Sequence, residues 1–224
     1  MINLITNFLE PVSYFIYLIA FLFHSFTTGK LSEKVPLLFY LFGGVLMVYA
    51  SYLARNLIEN VFIYNYLLLP ASVLFFSWYF KTNFHNRKRK RIVIWIFTLN
   101  ALLFLLRAIF LEQNHMFDSI GFTTLSLSIL VFCFIFFKQR LQEVSEKPIF
   151  GNFNFWVICS FFISFSGSFL VFLTYYYLTE KISTSYVYAN RHLLTLLWGV
   201  PNILLFAGSL FALIGSIWTN YHRK

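Results

Sequence analysis

Apolar residues dominate seven long stretches of the chain, and polar or charged residues separate these stretches. Each holds about 20 mostly apolar residues, the length at which an α-helix crosses the hydrocarbon core of a bilayer. The stretches cover residues 4–27, 35–54, 61–80, 92–111, 119–137, 154–178 and 193–218. The pattern predicts an all-α polytopic membrane protein, a seven-transmembrane-helix bundle in which residues 1–224 form a single domain.

The composition agrees with a membrane location. Of the 224 residues, 59% are hydrophobic and 11% are charged, and the mean hydropathy is +0.73. Soluble domains are usually about 25% charged. A soluble fold of this size could not cover its surface with so few charges, and this class of protein is therefore excluded.

Basic residues are distributed unequally between the two sides of a seven-span chain. Of the 17 Lys and Arg residues, only Arg55, Arg107, Lys181 and Arg191 fall on one side, and the rest fall on the side that holds the C-terminus. Because Lys and Arg favour cytoplasmic loops, the count predicts an N-terminus outside and a cytoplasmic C-terminus. We expect a multi-pass protein of the inner (cytoplasmic) membrane.

The longest basic run lies where the fourth apolar stretch begins. It consists of Arg87, Lys88, Arg89, Lys90 and Arg91, directly before Ile92. This position predicts a topology anchor that contacts anionic lipid headgroups at the cytoplasmic face, where each charge is worth about 1 kcal/mol. The alternative is a docking site for an acidic partner, shared with the 138–147 segment. A run so close to the bilayer does not indicate nucleic-acid binding.

Ionisable residues near the outer ends of the spans form a candidate ligand-binding cluster. Its members are Glu10, Arg55, Glu59, Arg107, Arg191 and His192. Ionisable groups at membrane depth are functional candidates. Arg107 lies about one turn from the outer end of its span, where it can extend to the interface or pair with an acid. In the second case it faces inward, and Glu10 is the natural partner. We hypothesise that the cluster as a whole lines an external pocket.

Amides and prolines inside the spans form a second candidate group. They are Asn65, Pro70, Asn100, Pro201 and Asn202. A proline inside a span leaves a backbone carbonyl without its usual donor, and a nearby amide can satisfy that carbonyl. The group predicts either kinked helices with a satisfied backbone or a hinge beside a binding cavity.

Small residues recur every four positions in the sixth and seventh spans. They are Ser160, Ser164 and Ser168 in the sixth span, and Gly208, Ala212 and Ser216 in the seventh. Each set lies on one helix face, where helix backbones can approach closely. The stripes predict packing of these two spans against each other, or alternatively a contact with a membrane protein partner or a second copy of the chain.

The sequence gives no support for enzyme chemistry. No apolar stretch contains a Lys that could hold retinal as a Schiff base, and the five His residues are widely dispersed along the chain. No metal-binding motif occurs. We therefore expect no enzyme activity, no cofactor and no metal site.

A transporter of small solutes is an alternative function, with the helices arranged as 3+1+3. Pro36 and Pro148 each precede the second helix of a triplet, and Pro70 and Pro201 each interrupt the third. Parallel repeats of this kind occur in some transporters.

The sixth stretch has a distinctive order of residues. Its features are Asn154, Phe155, Trp156, Phe165, Ser166, Gly167 and Phe172. Together with residues 55–80, this stretch resembles small seven-span membrane proteins of Bacteroidota, which are similar to sensor modules that accompany histidine kinases. The resemblance implies a role in sensing and assigns no role to individual residues.

The leading hypothesis is an integral membrane sensor that relays a signal to a partner protein. Besides the transporter, a third hypothesis is a non-catalytic membrane subunit of a larger assembly or a defence system. A sensor would bind a ligand, a transporter would move a solute, and a subunit would be inert without its partner.

Overall fold

A computed structural model describes residues 2–27, 31–56, 60–110, 117–142, 149–178 and 191–221, and all regular elements in them are helical. The helices are α1 (Ile2–Thr27), α2 (Leu31–Arg55), α3 (Leu69–Asn83), α4 (Arg87–Phe110), α5 (Ser119–Gln142), α6 (Phe153–Tyr176) and α7 (Arg191–Tyr221). A π-helical segment, Ile63–Leu68, leads into α3, and a 3-10 turn, Ile149–Gly151, precedes α6.

Each of the seven predicted apolar stretches corresponds to one of these helices, except that the third is formed by the π-helical segment and α3 together, Ile63–Asn83. Within the described residues, seven helices are long and apolar enough to cross a membrane, which confirms the predicted bundle. This is the architecture of a multi-pass membrane protein. Several helices extend beyond the apolar stretches, and α4 already begins at Arg87, because polar residues continue the helix once it leaves the hydrocarbon layer.

The helices pack in an order that follows the chain, with α7 closing the arrangement. α7 packs between α1 and α6, α5 contacts both α4 and α6, and α3 packs against α4 and α5. α2 contacts α1, the π-helical segment and α6. Residues of α1, α2, α6 and α7 line one common cavity.

Aromatic side chains fill the centre of the bundle. Phe76, Tyr79 and Phe161 are fully buried, and the Phe161 ring lies 5.0 Å from Phe76 and 5.3 Å from Tyr79, both edge to face. Edge-to-face aromatic pairs contribute about 0.5–1.5 kcal/mol each beyond the burial of their area. These contacts join α3 to α6 below the space described next.

The small-residue stripes of α6 and α7 are buried at helix contacts. A Cβ atom at Gly208 would come within 2.9 Å of the Ser160 carbonyl oxygen and still closer to the Ser164 hydroxyl. Ser216, farther along α7, instead donates to the Ala20 carbonyl of α1 at 3.3 Å. Small residues are therefore needed on both sides of α7. Ser168 and Ala212 are buried as well.

The basic run forms the first turns of α4. Asn86 precedes the helix, and its side chain accepts a hydrogen bond from the Lys88 N–H at 2.8 Å. Arg89 donates to the buried Gln139 side chain of α5 at 2.7 Å. Arg89 therefore ties α4 to α5, whereas Arg91 is exposed.

Candidate ligand-binding cavity

A cavity of about 310 Å³ lies among the helix ends that the sequence predicts to face outside; we call it the outer cavity. Its polar lining residues include Glu10, Tyr14, Tyr40, Tyr64, Ser164, Ser168 and Asn202. They come from α1, α2, the π-helical segment, α6 and α7. The volume is at the lower end of the range of about 300–1,000 Å³ that is typical of small-molecule sites.

Aromatic rings form one wall of the outer cavity, and Phe117 is at their centre. The Phe117 ring stacks on Phe122 at 4.8 Å between centroids. It lies edge to face with Trp198 at 5.1 Å and with Tyr64 at 6.0 Å. Phe172 packs against Phe122 at 5.4 Å. The π-helical segment, α5, α6 and α7 thus all contribute to a single aromatic wall.

Three buried polar atoms at the outer cavity have no hydrogen-bond partner among the described residues. They are Glu10 Oε1, Tyr40 Oη and Ser164 Oγ. Tyr40 stacks on Tyr17 at 3.8 Å, but the Tyr17 hydroxyl bonds to Ser160 at 2.9 Å. A buried polar atom without a partner costs about 1–3 kcal/mol. The cavity is therefore suited to a ligand or ordered water that supplies the missing partners.

An ionic clasp lies beside the aromatic wall. The Arg107 Nε donates to the Asp118 carboxylate at 2.6 Å, and both side chains are mostly buried. The same carboxylate accepts from the Gly121 N–H at 3.0 Å and so caps α5. The Asp118 N–H donates to the Asn65 side chain at 2.9 Å. We call Arg107, Asp118 and Asn65 the clasp.

The proposed pairing of Arg107 with Glu10 is wrong, because Arg107 pairs with Asp118. α4 packs against α3 and α5, and Asp118 lies at the start of α5, whereas Glu10 belongs to α1 on the cavity side. The sequence leaves both an interfacial and an inward-facing position open for Arg107; in the structure its side chain is mostly buried and its partner is Asp118.

The other members of the predicted outer cluster cannot be placed in a common site. Glu59 lies outside the described residues, as do the side chains of Arg55, Arg191 and His192. Of the six residues, only Glu10 lines the outer cavity within the described part of the chain. The cluster as a whole stays a prediction.

The predicted hinge residues separate into three groups. Pro201 and Asn202 line the outer cavity. Asn65 belongs to the clasp, and Pro70 follows the π-helical segment, in which the Leu69 N–H donates to the Tyr64 carbonyl. Asn100 lies elsewhere: it donates to the Ile96 carbonyl at 2.9 Å and to Ser128 of α5 at 3.0 Å.

A second cavity of about 350 Å³ adjoins the first; we call it the side cleft. Glu10, Tyr14 and Met47 line both spaces. The side cleft is also lined by Val48 and Tyr52, which are 68% and 61% exposed on the apolar face of α2. The cleft therefore opens between α1 and α2 toward the surface that faces lipid.

Sequence reasoning missed Asp118 and most of the aromatic wall. Asp118 could have been found, because an Asp directly before an apolar stretch is a helix N-cap signal. The wall residues could not, since 22% of the chain is aromatic and nothing distinguishes Phe117 or Trp198 from the others.

The described residues contain no group of three or more His, Cys, Asp or Glu side chains that could hold a metal ion. Comparison of the chain with protein-family models, with curated protein sequences and with solved structures returns no match.

Proposed function

We propose that the chain is an integral membrane sensor that binds a small molecule in the outer cavity and relays the signal to a partner protein. The outer cavity is the observation that supports this most directly. It is concave and mostly apolar, and it holds a few buried polar atoms that lack partners among the described residues. Such a combination is typical of small-molecule sites.

In the orientation that we propose, the N-terminus is outside, the C-terminus is cytoplasmic and the bundle spans the inner membrane. The unequal distribution of basic residues supports this orientation. The outer cavity then faces the outside, and the basic run Arg87–Arg91 faces the cytoplasm, where it contacts anionic headgroups or a partner.

Helix α7 is the element best suited to relay a signal. Trp198, Pro201 and Asn202 line the cavity, and the same helix continues to Tyr221 at the opposite end of the bundle. A ligand that displaces Asn202 would therefore also move the cytoplasmic end of α7 against α1 and α6. The resemblance to sensor modules suggests a histidine kinase as the partner.

Co-purification tests the relay. The chain is extracted in mild detergent with a C-terminal tag, and a photo-crosslinking residue replaces Lys88 or Lys138 at the proposed dock, or Trp95 at the lipid face as a control. We expect a stoichiometric kinase that crosslinks at 88 or 138 and not at 95. A chain that purifies alone and monodisperse would contradict the proposal.

A cavity-filling variant links the kinase to the outer cavity. Leu205 lines the cavity, and Leu210 of the same helix is exposed. We expect Leu205→Trp to change the autophosphorylation of the co-purified kinase and Leu210→Trp to leave it unchanged. Asn202→Leu, which alters the cavity without adding bulk, is the second variant if Leu205→Trp fails to fold. Unchanged autophosphorylation in a folded cavity variant would contradict the proposed relay.

Small-solute transport is the second candidate function. It is favoured by the position of the outer cavity: Tyr64 and Leu68 of the π-helical segment before Pro70 line it on one side, and Pro201, inside α7, lines it on the other. Uptake of solute into liposomes that contain only this chain would favour transport over relay.

A further inference from the structure

We propose that the ligand is an amphiphilic organic cation, with its ammonium group at Glu10 in the outer cavity and its apolar chain in the side cleft. This inference rests on the proposed role of the outer cavity as a binding site. It adds the chemical class of the ligand and the route by which the ligand enters.

The charge of the ligand follows from the lining of the two cavities. Glu10 lines both, and its Oε1 is buried without a hydrogen-bond partner among the described residues. Among those residues, neither cavity is lined by Lys, Arg or His, and the described Arg107 pairs with Asp118. Burying a carboxylate costs free energy unless a compensating charge or donors accompany it, and an alkylated ammonium ion supplies the compensating charge.

The aromatic residues that line the outer cavity favour the same ligand class. Tyr14, Tyr64 and Trp198 line the outer cavity together with Glu10. The faces of such rings attract ammonium groups, and alkylated ammonium ions are bound in aromatic cages of this composition. An anionic ligand would instead meet the Glu10 carboxylate.

The side cleft accounts for an apolar part of the ligand. It joins the outer cavity at Glu10, Tyr14 and Met47 and opens past Val48 and Tyr52 on the lipid-facing surface of α2. A ligand that reaches Glu10 through this opening comes from the bilayer. An alkyl chain attached to its ammonium group would remain in the cleft.

Three probes separate these contributions. Labelled hexyltrimethylammonium is the test ligand. Tetramethylammonium lacks the hexyl group, and hexanesulfonate carries a negative charge on the same hexyl group. The protein, residues 1–224, is reconstituted in phosphatidylcholine nanodiscs. Binding of the labelled ligand and its displacement by the other two probes are then measured. We expect saturable binding of hexyltrimethylammonium, weaker displacement by tetramethylammonium and no displacement by hexanesulfonate. Equal displacement by hexanesulfonate would overturn the cationic assignment.

Variants locate the two parts of the ligand. Glu10→Gln should weaken hexyltrimethylammonium binding by at least about tenfold, because a buried charge pair is lost. Glu33→Gln, near the opposite end of α2 from the cavity, should leave binding unchanged and is the matched control. Tyr64→Leu should weaken binding by about fivefold, whereas Tyr64→Phe, which keeps the ring, should not. Wild-type affinity in a folded Glu10→Gln protein would overturn the proposal.

The position of the ligand's alkyl chain has its own test. Ser51→Trp fills the side cleft, and Val45→Trp adds the same side chain to an exposed position outside it. We expect Ser51→Trp to weaken hexyltrimethylammonium binding but not tetramethylammonium binding, and Val45→Trp to change neither. Equal affinity of Ser51→Trp and wild type for hexyltrimethylammonium would overturn the placement of the alkyl chain in the side cleft.

The outcome also distinguishes this inference from the proposed function. If no cation binds but a kinase co-purifies and responds to Leu205→Trp, the ligand class is wrong and the sensor stands. If the cation binds in a manner that depends on Glu10 and no kinase co-purifies, the ligand class stands and the relay is wrong.

Discussion

At the scale of single residues, Asp118 joins the ionic clasp to the cavity wall. Its carboxylate forms an ion pair with Arg107, and its backbone N–H donates to the Asn65 side chain. The preceding residue is Phe117, the centre of the aromatic wall. Because Asn65 belongs to the π-helical segment and Asp118 begins α5, the clasp fixes Phe117 against two elements. The position of the wall therefore depends on a charge pair outside the cavity.

The charge of Asp118 can be removed while its hydrogen bond to the N-terminus of α5 is kept. In Asp118→Asn, the amide keeps the N-cap bond to Gly121, since Asn and Asp cap equally well, but Arg107 loses its counter-charge. We expect the free energy of unfolding to fall by about 3 kcal/mol, because a partner is removed from a mostly buried pair. Reversible unfolding in detergent–lipid bicelles measures the change.

The double variant isolates the pair from the other contacts of Arg107. If the ion pair is the cause, Asp118→Asn should be nearly neutral in an Arg107→Gln background, which corresponds to a coupling energy of about 3 kcal/mol. Additive effects would mean that the two residues act separately. Arg91→Leu, which removes an exposed basic residue at the other end of α4, controls for the loss of a positive charge.

At the scale of elements, the contact between α6 and α7 depends on Gly208. We expect Gly208→Ala to lower the free energy of unfolding by about 1–3 kcal/mol, since the added methyl group enters a filled space beside Ser160 and Ser164. The measurement is again unfolding in bicelles.

Gly43→Ala is the matched control for this substitution. Gly43 also lies inside a helix, but apart from the backbone of that helix a Cβ there would meet only Leu68 Cδ1, at 3.9 Å, among the described residues. Replacing Gly by Ala inside a helix gains up to about 1 kcal/mol in propensity, so Gly43→Ala should be neutral or stabilising. Equal stability of the two variants would contradict close packing at Gly208.

The elements were more predictable from the sequence than the site. Length and hydropathy determine a membrane span, so all seven helices could be placed, and the four-residue spacing of Ser160 and Ser164 predicted a close helix contact. The partner of Arg107 depends on which helices are neighbours, and no single-sequence pattern contains that information. The sequence likewise predicts only a kink at Pro70 and not the π-helical segment before it, since either distortion can accommodate the backbone carbonyl that proline leaves without a donor.

At the scale of the whole molecule, the orientation of the bundle decides whether a ligand reaches the outer cavity from outside the cell. Asn56, at the end of α2, is exposed on the cavity side, and His85, between α3 and α4, is exposed at the opposite end beside the basic run. One cysteine at either position, in a chain whose Cys133 and Cys159 are replaced by Ala, reports which side it faces.

The unequal distribution of basic residues predicts the result of this labelling. We expect a membrane-impermeant maleimide to label Asn56→Cys in right-side-out vesicles, and His85→Cys only in inverted vesicles, since Lys and Arg favour the cytoplasmic side. Tyr221→Cys, exposed at the end of α7, should behave like His85→Cys. The opposite pattern would place the cavity on the cytoplasmic side, and the chain would then respond to an internal ligand with its basic run outside.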